Sequence, residues 1–355
     1  MSTARALLLA SMAIAGCGDD TGVSPACPDG DSATCCGPLA RDCLGGACVA
    51  GACQPLMLAD GLEPTDLAVA GDTVYFTDPV AGTVERVATD GSGRAVIASD
   101  PDLPVAVAAT TDTVAWTTRG AIPREGTVVR MPLDGTAAPL SSTELVPCDL
   151  ALDDAGAAWA DAGFGAPYVP GPLRRWSAAT GAVSTLLPAP PRACAVAMTA
   201  DVVAVAGAGT DLHAPDDSVI AVVPRGGGAP VTIATGRSNP GAVALDDTHV
   251  YWAEAGLPDE SYQDGAIVRA PRAGGAVEPL ATATRPAGLV VIDDDLYWIA
   301  GSAVEHLALA DRRVTTLAEV PGRGLLGLVT DGTALYFMAG PSATTSTGLL
   351  FKLAR

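Results

Sequence analysis

The sequence predicts an all-β fold: a seven-bladed β-propeller of four-stranded blades, preceded by a small disulfide-rich segment. Three observations carry that expectation. A phrase of short apolar strands and turns recurs seven times, the repeat period fits one blade, and the last copy lacks a strand that a spare one near Leu56 can supply.

The clearest copy runs from Pro64 to Ala98, PTDLAVAGDTVYFTDPVAGTVERVATDGSGRAVIA. Its apolar runs are rich in Val, Tyr, Phe and Ile. They are bounded by Gly71-Asp72, by Pro79 to Gly82 and by Asp90 to Gly93, which is strand and turn chemistry. The second strand repeats as Val74 to Asp78, Val114 to Thr118, Ala157 to Asp161, Val203 to Gly207, Val250 to Glu254, Leu296 to Ala300 and Leu335 to Ala339. Six of the seven copies place an aromatic at the middle position, and the fourth has Val205. The third strand carries a base, namely Arg86, Arg130, Arg175, Arg269, His306 and Lys352, with Ala221 as the exception. Residues 57–355 divided by seven give about 43 per copy, within the ~40–45 of a propeller blade. The poor fourth copy keeps a six-bladed ring as the alternative.

The last copy stops at Leu349 to Leu353, a third strand. Leu56-Met57-Leu58-Ala59 resembles the fourth strands Val231 to Ala234 and Thr316 to Ala318. A ring in which this early strand completes the last blade removes two exposed sheet edges.

Taken in order, residues 1–16 open with the amine and Arg5 and run apolar from Ala6 to Ala15. That stretch is too short for a permanent membrane span and reads as a targeting signal. Residues 17–26 form a short polar tether. Residues 27–54 hold Cys27, Cys35, Cys36, Cys43, Cys48 and Cys53 with almost no hydrophobic run, so disulfides must hold the segment together. Six cysteines allow fifteen pairings, and the spacing selects none. Zinc is the alternative for this cluster, although no His lies nearby. The propeller occupies 55–355. Within it, Cys148 and Cys194 fall at matching places just before the inner strands of adjacent blades, and a bond between them would clamp blades three and four.

The 355 residues carry 40 acidic against 20 basic side chains, a net charge of −20. Such a chain repels a phosphate backbone, so nucleic acid is not expected as a partner.

Two resemblances add to this reading. Ile14-Ala15-Gly16-Cys17 resembles the lipobox of bacterial lipoproteins, with a signal peptide ahead of it. The resemblance implies acylation of Cys17, membrane attachment through its acyl chains, and a bacterial cell-envelope location (outer membrane or periplasmic face) rather than the cytoplasm. An ordinary signal peptide with a coincidental Cys is the alternative. Val74 to Asp78 followed by GTVERVATDGSGR resembles the YWTD repeat of low-density-lipoprotein-receptor-type propellers and related bacterial proteins. That resemblance covers roughly residues 56–355 and is specific for blade type. It implies that Asp78, with Asp161 and Glu254 at the same position, bonds neighbouring backbone. It says almost nothing of function.

In a propeller the loops between second and third strands share a face with the blade-to-blade connections. Three such loops are long here, in blades three, four and five. They bring Phe164, Tyr168, His213, Asp216, Glu260 and Tyr262 to one sector, where aromatics beside carboxylates could hold a protein, peptide or glycan ligand, or a cation. Solvated scaffold loops are the alternative reading. No catalytic or metal-ligating residue is assigned and no cofactor is expected. The histidines His213, His249 and His306 lack metal-ligand spacing, and neither G-x-S-x-G nor H-E-x-x-H is present. The carboxylate runs Asp153-Asp154, Asp246-Asp247 and Asp293-Asp294-Asp295 recur at one hairpin turn, as turn chemistry does. The expected function is therefore a lipid-anchored envelope protein whose propeller is a non-catalytic binding or scaffolding module. A metal-dependent propeller hydrolase or lyase is the second possibility.

Overall fold

The computed structural model describes residues 35–36, 41–49, 52–99, 102–120, 125–165, 168–211, 213, 217–258 and 261–355. The targeting segment, Cys17, the tether and Cys27 lie outside the described residues, as do Asp216 and Glu260.

Seven four-stranded antiparallel sheets follow one another along the chain. Blades one to six occupy residues 66–99, 104–144, 147–187, 193–235, 240–282 and 286–319. Blade seven takes Arg323–Thr330, Ala334–Ser342 and Gly348–Ala354, and its outermost strand is Leu56–Leu62. The closing ladder pairs Leu349 with Asp60, Leu350 with Ala59 and Lys352 with Leu56. Blade four is a regular sheet, so the six-bladed alternative fails. Its second strand, Val202–Gly207, buries Val205 where the other blades bury an aromatic.

The repeated second strand explains the ring. Successive side chains of a strand point to opposite faces, and here both faces are buried. In blade one, Phe76 packs with Tyr336 and Met338 of blade seven, while Tyr75 packs with Val107 and Trp116 of blade two. Trp159 meets the alanines of blade two, Trp252 meets Ala204 and Ile220 of blade four, and Trp298 meets Tyr251 and Ile267 of blade five. Seven apolar clusters thus lie between neighbouring blades, and the one between blades seven and one includes Leu58, Ala59 and Leu62 of the closing strand.

The basic positions of the third strand sit opposite the residue before the aromatic, as in Tyr75 with Arg86 and Tyr251 with Arg269. In blade four the ladder sets Val222, not Ala221, opposite Ala204, a one-residue correction to the alignment read from the sequence. His306 takes this position in blade six. It stacks on Tyr297 with ring centroids 4.9 Å apart, and its Nε2 lies 2.8 Å from Asp295 Oδ1.

The described part of the cysteine segment is docked on the propeller rather than free of it. Cys43 and Cys53 form a disulfide with a Cα–Cα distance of 5.1 Å and pack with Ala354 at the end of blade seven. Cys48 is also disulfide-bonded. A bond between Cys148 and Cys194, Cα–Cα 5.4 Å, joins the inner strands of blades three and four.

Leu62 is fully buried in the closing cluster. Leu62→Ala should lower stability by about 2–5 kcal/mol in urea denaturation. The Cys148→Ala/Cys194→Ala double variant, which frees a 46-residue separation, should lose about 2–4 kcal/mol in the same assay.

Candidate functional site

Each inner strand runs from the face carrying the blade-to-blade connections, here the loop face, to the face carrying the first hairpin turns, here the turn face. The seven inner strands surround a central channel of about 560 Å³. At the loop-face end most inner strands carry a register shift, for example between Pro104 and Val107, Pro147 and Asp149, and Pro240 and Ala242. Such bulges re-aim side chains and release backbone groups from the ladder.

Two carboxylates use this geometry. Asp66 of blade one accepts the N–H of Val107 in blade two at 2.8 Å, and Asp149 of blade three accepts the N–H of Val196 in blade four at 2.6 Å. Both line the channel, with blade two between them. Burial within the ring pushes Asp66 up to about 8, reinforced by the charge of Asp149, against the lowering effect of the N–H groups of Val107 and Leu67. Burial likewise pushes Asp149 up to about 7, opposed by the N–H groups of Val196 and Leu150.

The loop face above the channel is built by the three long loops. In blade three, Phe164 and Val169 exchange backbone hydrogen bonds of 2.9 Å, which makes a short bridge with Phe164 at 53% exposure and Val169 at 46%. Gly163 is required there: at φ 75° a Cβ would lie 2.2 Å from the Val169 carbonyl oxygen. The Tyr168 hydroxyl donates to the Ala162 carbonyl and accepts the N–H of Arg192 at 2.7 Å, so the loop is tied to the start of blade four. Burial raises the Tyr168 hydroxyl above its ordinary pKa.

Blades four and five share one loop device. Asp217 accepts the N–H of Thr210 at 2.9 Å, and Asp264 accepts the N–H of Leu257 at 2.8 Å. His213 lies exposed in the blade-four loop, its N–H donated to Asp211. Tyr262 lies in the blade-five loop with φ 59°.

Just before four inner strands the backbone is left-handed at a non-glycine residue: Leu103, Arg192, Asn239 and Arg285 have φ of 64°, 43°, 55° and 50°. Three of them precede proline, which disfavours the right-handed helical conformation for the residue before it. Such conformations cost free energy, and neighbouring contacts hold them. The Arg192 guanidinium lies over the Tyr168 ring at 5.5 Å, and that of Arg285 over Tyr262 at 4.9 Å. Between them, Asn239 Nδ2 donates to the Gly256 carbonyl at 2.8 Å.

Of the residues named from the sequence, Phe164, Tyr168, His213 and Tyr262 lie on loops of the same face, where Tyr168 and Tyr262 belong to separate arginine stacks. Asp78 and Asp161 bond backbone: Asp78 accepts the N–H of Glu63, Val80 and Ala81, and Asp161 accepts those of Leu145, Val146 and Gly163. Glu254 bonds side chains instead, accepting from Trp252 Nε1 at 2.7 Å and from Arg237. Asp66, Asp149, Arg192 and Arg285 escaped the sequence reading. Aligned on the inner strands, Asp66 and Asp149 stand where the other copies have Ala106, Ala195, Ala242, Gly288 and Gly327. That contrast is the signal that could have found the two acids.

No protein-family model matches this chain, and no curated protein matches it. Solved structures do share its fold. A catalytically inactive virginiamycin B lyase from Staphylococcus aureus, determined with quinupristin, superposes with TM-score 0.63 and 12% identity over 85% of this chain and 99% of that one. The WD40 β-propeller domain of Doa1 gives 0.61 and 12% over 84% and 96%. A chain of the nidogen/laminin complex gives 0.51 and 14% over 72% and 96%. At these identities the likeness concerns the fold alone.

Because the folded-state pKa values of Asp66 and Asp149 lie above the ~3.9 of an unfolded aspartate, their stabilising effect is complete at low pH. It is lost as pH rises through 7 to 8. Denaturant unfolding should therefore show lower stability at about pH 9 than at about pH 5, and the Asp66→Asn/Asp149→Asn variant should flatten that dependence.

Proposed function

We propose that this chain is a lipid-anchored protein of the bacterial cell envelope whose propeller serves as a non-catalytic binding module, with recognition on the loop face. The observation that carries the reading is the convergence on one face of the three long loops, the left-handed residues and the exposed Phe164 and Val169. The hydrogen-bonded loops and bridged blades make this face preformed, as ligand sites generally are.

The path of the chain supports the same reading. The closing strand runs from Leu56, opposite Lys352, to Leu62, opposite Gly348, so it rises from the turn face to the loop face. The docked Cys43–Cys53 segment therefore lies at the turn-face end. The described chain thus enters the propeller at the face opposite the proposed recognition loops. Several acyl chains on Cys17 would make the proposed attachment durable, at about 0.8 kcal/mol per buried methylene.

A metal-dependent hydrolase or lyase needs a donor set, and catalytic metal sites commonly use three protein ligands. Among the described residues no three His, Cys, Asp or Glu side chains converge, and the channel brings together two carboxylates.

The test uses the full-length protein in native envelope. Palmitate labelling should depend on Cys17, and affinity capture should retain a partner with the wild type and with Val314→Glu, whose site is on an outer strand. Phe164→Glu should lose that partner. Equal capture by all three would show that the loop face is not the recognition surface.

A further inference from the structure

Two of the disulfides among the described residues stand in different surroundings. Cys43 and Cys53 are 2% and 8% exposed and pack with Ala354. Cys148 and Cys194 line the central channel, with Cys148 half-buried and Cys194 exposed. The inner strands put them there. Each cysteine lies inside the register shift that opens its strand, between Pro147 and Asp149 or between Ala193 and Ala195. Bulges of this kind turn a side chain out of the ladder. A disulfide exchanges only where a thiolate can reach one of its sulfurs, and exposed bonds are the labile ones.

The neighbourhood also suits the reduced pair. Cys148 Sγ lies 3.2 Å from the Ala193 carbonyl oxygen and 3.6 Å from that of Ala160. A bonded sulfur has no hydrogen to give them, whereas a thiol at the same place does. Loss of the bond would not part the two blades. Asp149 still accepts the N–H of Val196, and Ala158, Val196, Val203 and Val205 stay packed between blades three and four. What the bond adds is a fixed start for the inner strand of blade four. Arg192, two residues before Cys194, donates its N–H to the hydroxyl of Tyr168, so the blade-three loop is tied to the segment that the bond holds.

We propose that the Cys148–Cys194 bond is a redox switch of the loop face: a small dithiol opens it while the ring stays folded, and its opening loosens the blade-three loop against blade four. A thiolate of the reductant attacks the exposed sulfur, Cys194 Sγ, and forms a mixed disulfide. The Cys148 thiolate is expelled, takes a proton from solvent and donates it to the Ala193 carbonyl as a hydrogen bond. The second thiol of the reductant then displaces Cys194, which is protonated in turn. The reductant ends as a disulfide, and the protein has gained two electrons and two protons. The role of the loop in recognition rests on the loop-face reading, and the lability of the bond does not.

The test treats the full-length native protein with dithiothreitol, traps free thiols with iodoacetamide and maps them by peptide analysis, with tryptophan fluorescence reporting the fold. Cys148 and Cys194 should be alkylated while Cys43 and Cys53 stay bonded and the fluorescence is unchanged. Amide hydrogen exchange at residues 161–165 and 192–196 should then quicken by about tenfold. The Cys148→Ala/Cys194→Ala variant should exchange at the fast rate with or without reductant. A bond that resists until the protein unfolds, or that opens no sooner than Cys43–Cys53, overturns the switch. Unchanged exchange in the reduced protein overturns it as well. Capture of the envelope partner separates this from the loop-face reading. If Phe164→Glu loses the partner while reduction alters neither capture nor loop exchange, the loop face stands and the switch falls. If Phe164→Glu keeps the partner, the loop-face reading falls, and alkylation and exchange still decide the switch.

Discussion

Burial of both faces of every second strand is the constraint from which the rest of this structure follows. Phe76 and Tyr75 point to opposite sides of one sheet, and each finds its cover in a different neighbour. No blade can therefore satisfy its own core, and a row of blades would leave its two terminal faces bare. Exposing a side chain such as Phe76 or Tyr336 costs about 1.5–3 kcal/mol, and each face holds several. Closing the row into a ring removes both bare faces together. The strand Leu56–Leu62 seals the seam because Leu58 and Leu62 fill the space between blades seven and one.

The functional surface inherits its order from that constraint. Inner strands brought together around an axis must begin on one face, so connections and long loops collect there. The bulges that let seven strands crowd at the channel mouth free the N–H groups of Val107 and Val196, which Asp66 and Asp149 then accept. The left-handed turns that precede the strands set the guanidiniums of Arg192 and Arg285 over the loop tyrosines. Core packing and candidate site are two ends of the same strands.

This division decides what could be read from the sequence. Blade count, strand order and the closing strand were legible because they follow from alternation and from recurrence, which leave a period in the residues. The loops of blades three to five were legible as long, and Tyr168 and Tyr262 as aromatic. The stacks were not, because each joins a loop to a connection about two dozen residues away, and a left-handed φ at Arg192 or Arg285 leaves no mark in residue type. Asp66 and Asp149 were hidden for another reason. The second strands carry the vivid aromatic pattern and draw the alignment to themselves, whereas the quieter inner strands of Ala, Val and Gly hold the acids. The fourth copy shows the limit of that pattern: without its aromatic the register slipped by one residue, from Val222 to Ala221.

Blade seven is assembled from both ends of the chain, and this gives the ring a mechanical character. A pull applied to the chain upstream of Cys43 reaches the closing strand along its own axis. Its ladder to Gly348–Ala354 is then loaded in shear, with several hydrogen bonds sharing the force at once instead of opening one by one. The disulfide between Cys43 and Cys53 lies at the point where the pull arrives, and keeps the small docked segment from unravelling before the ladder bears the strain.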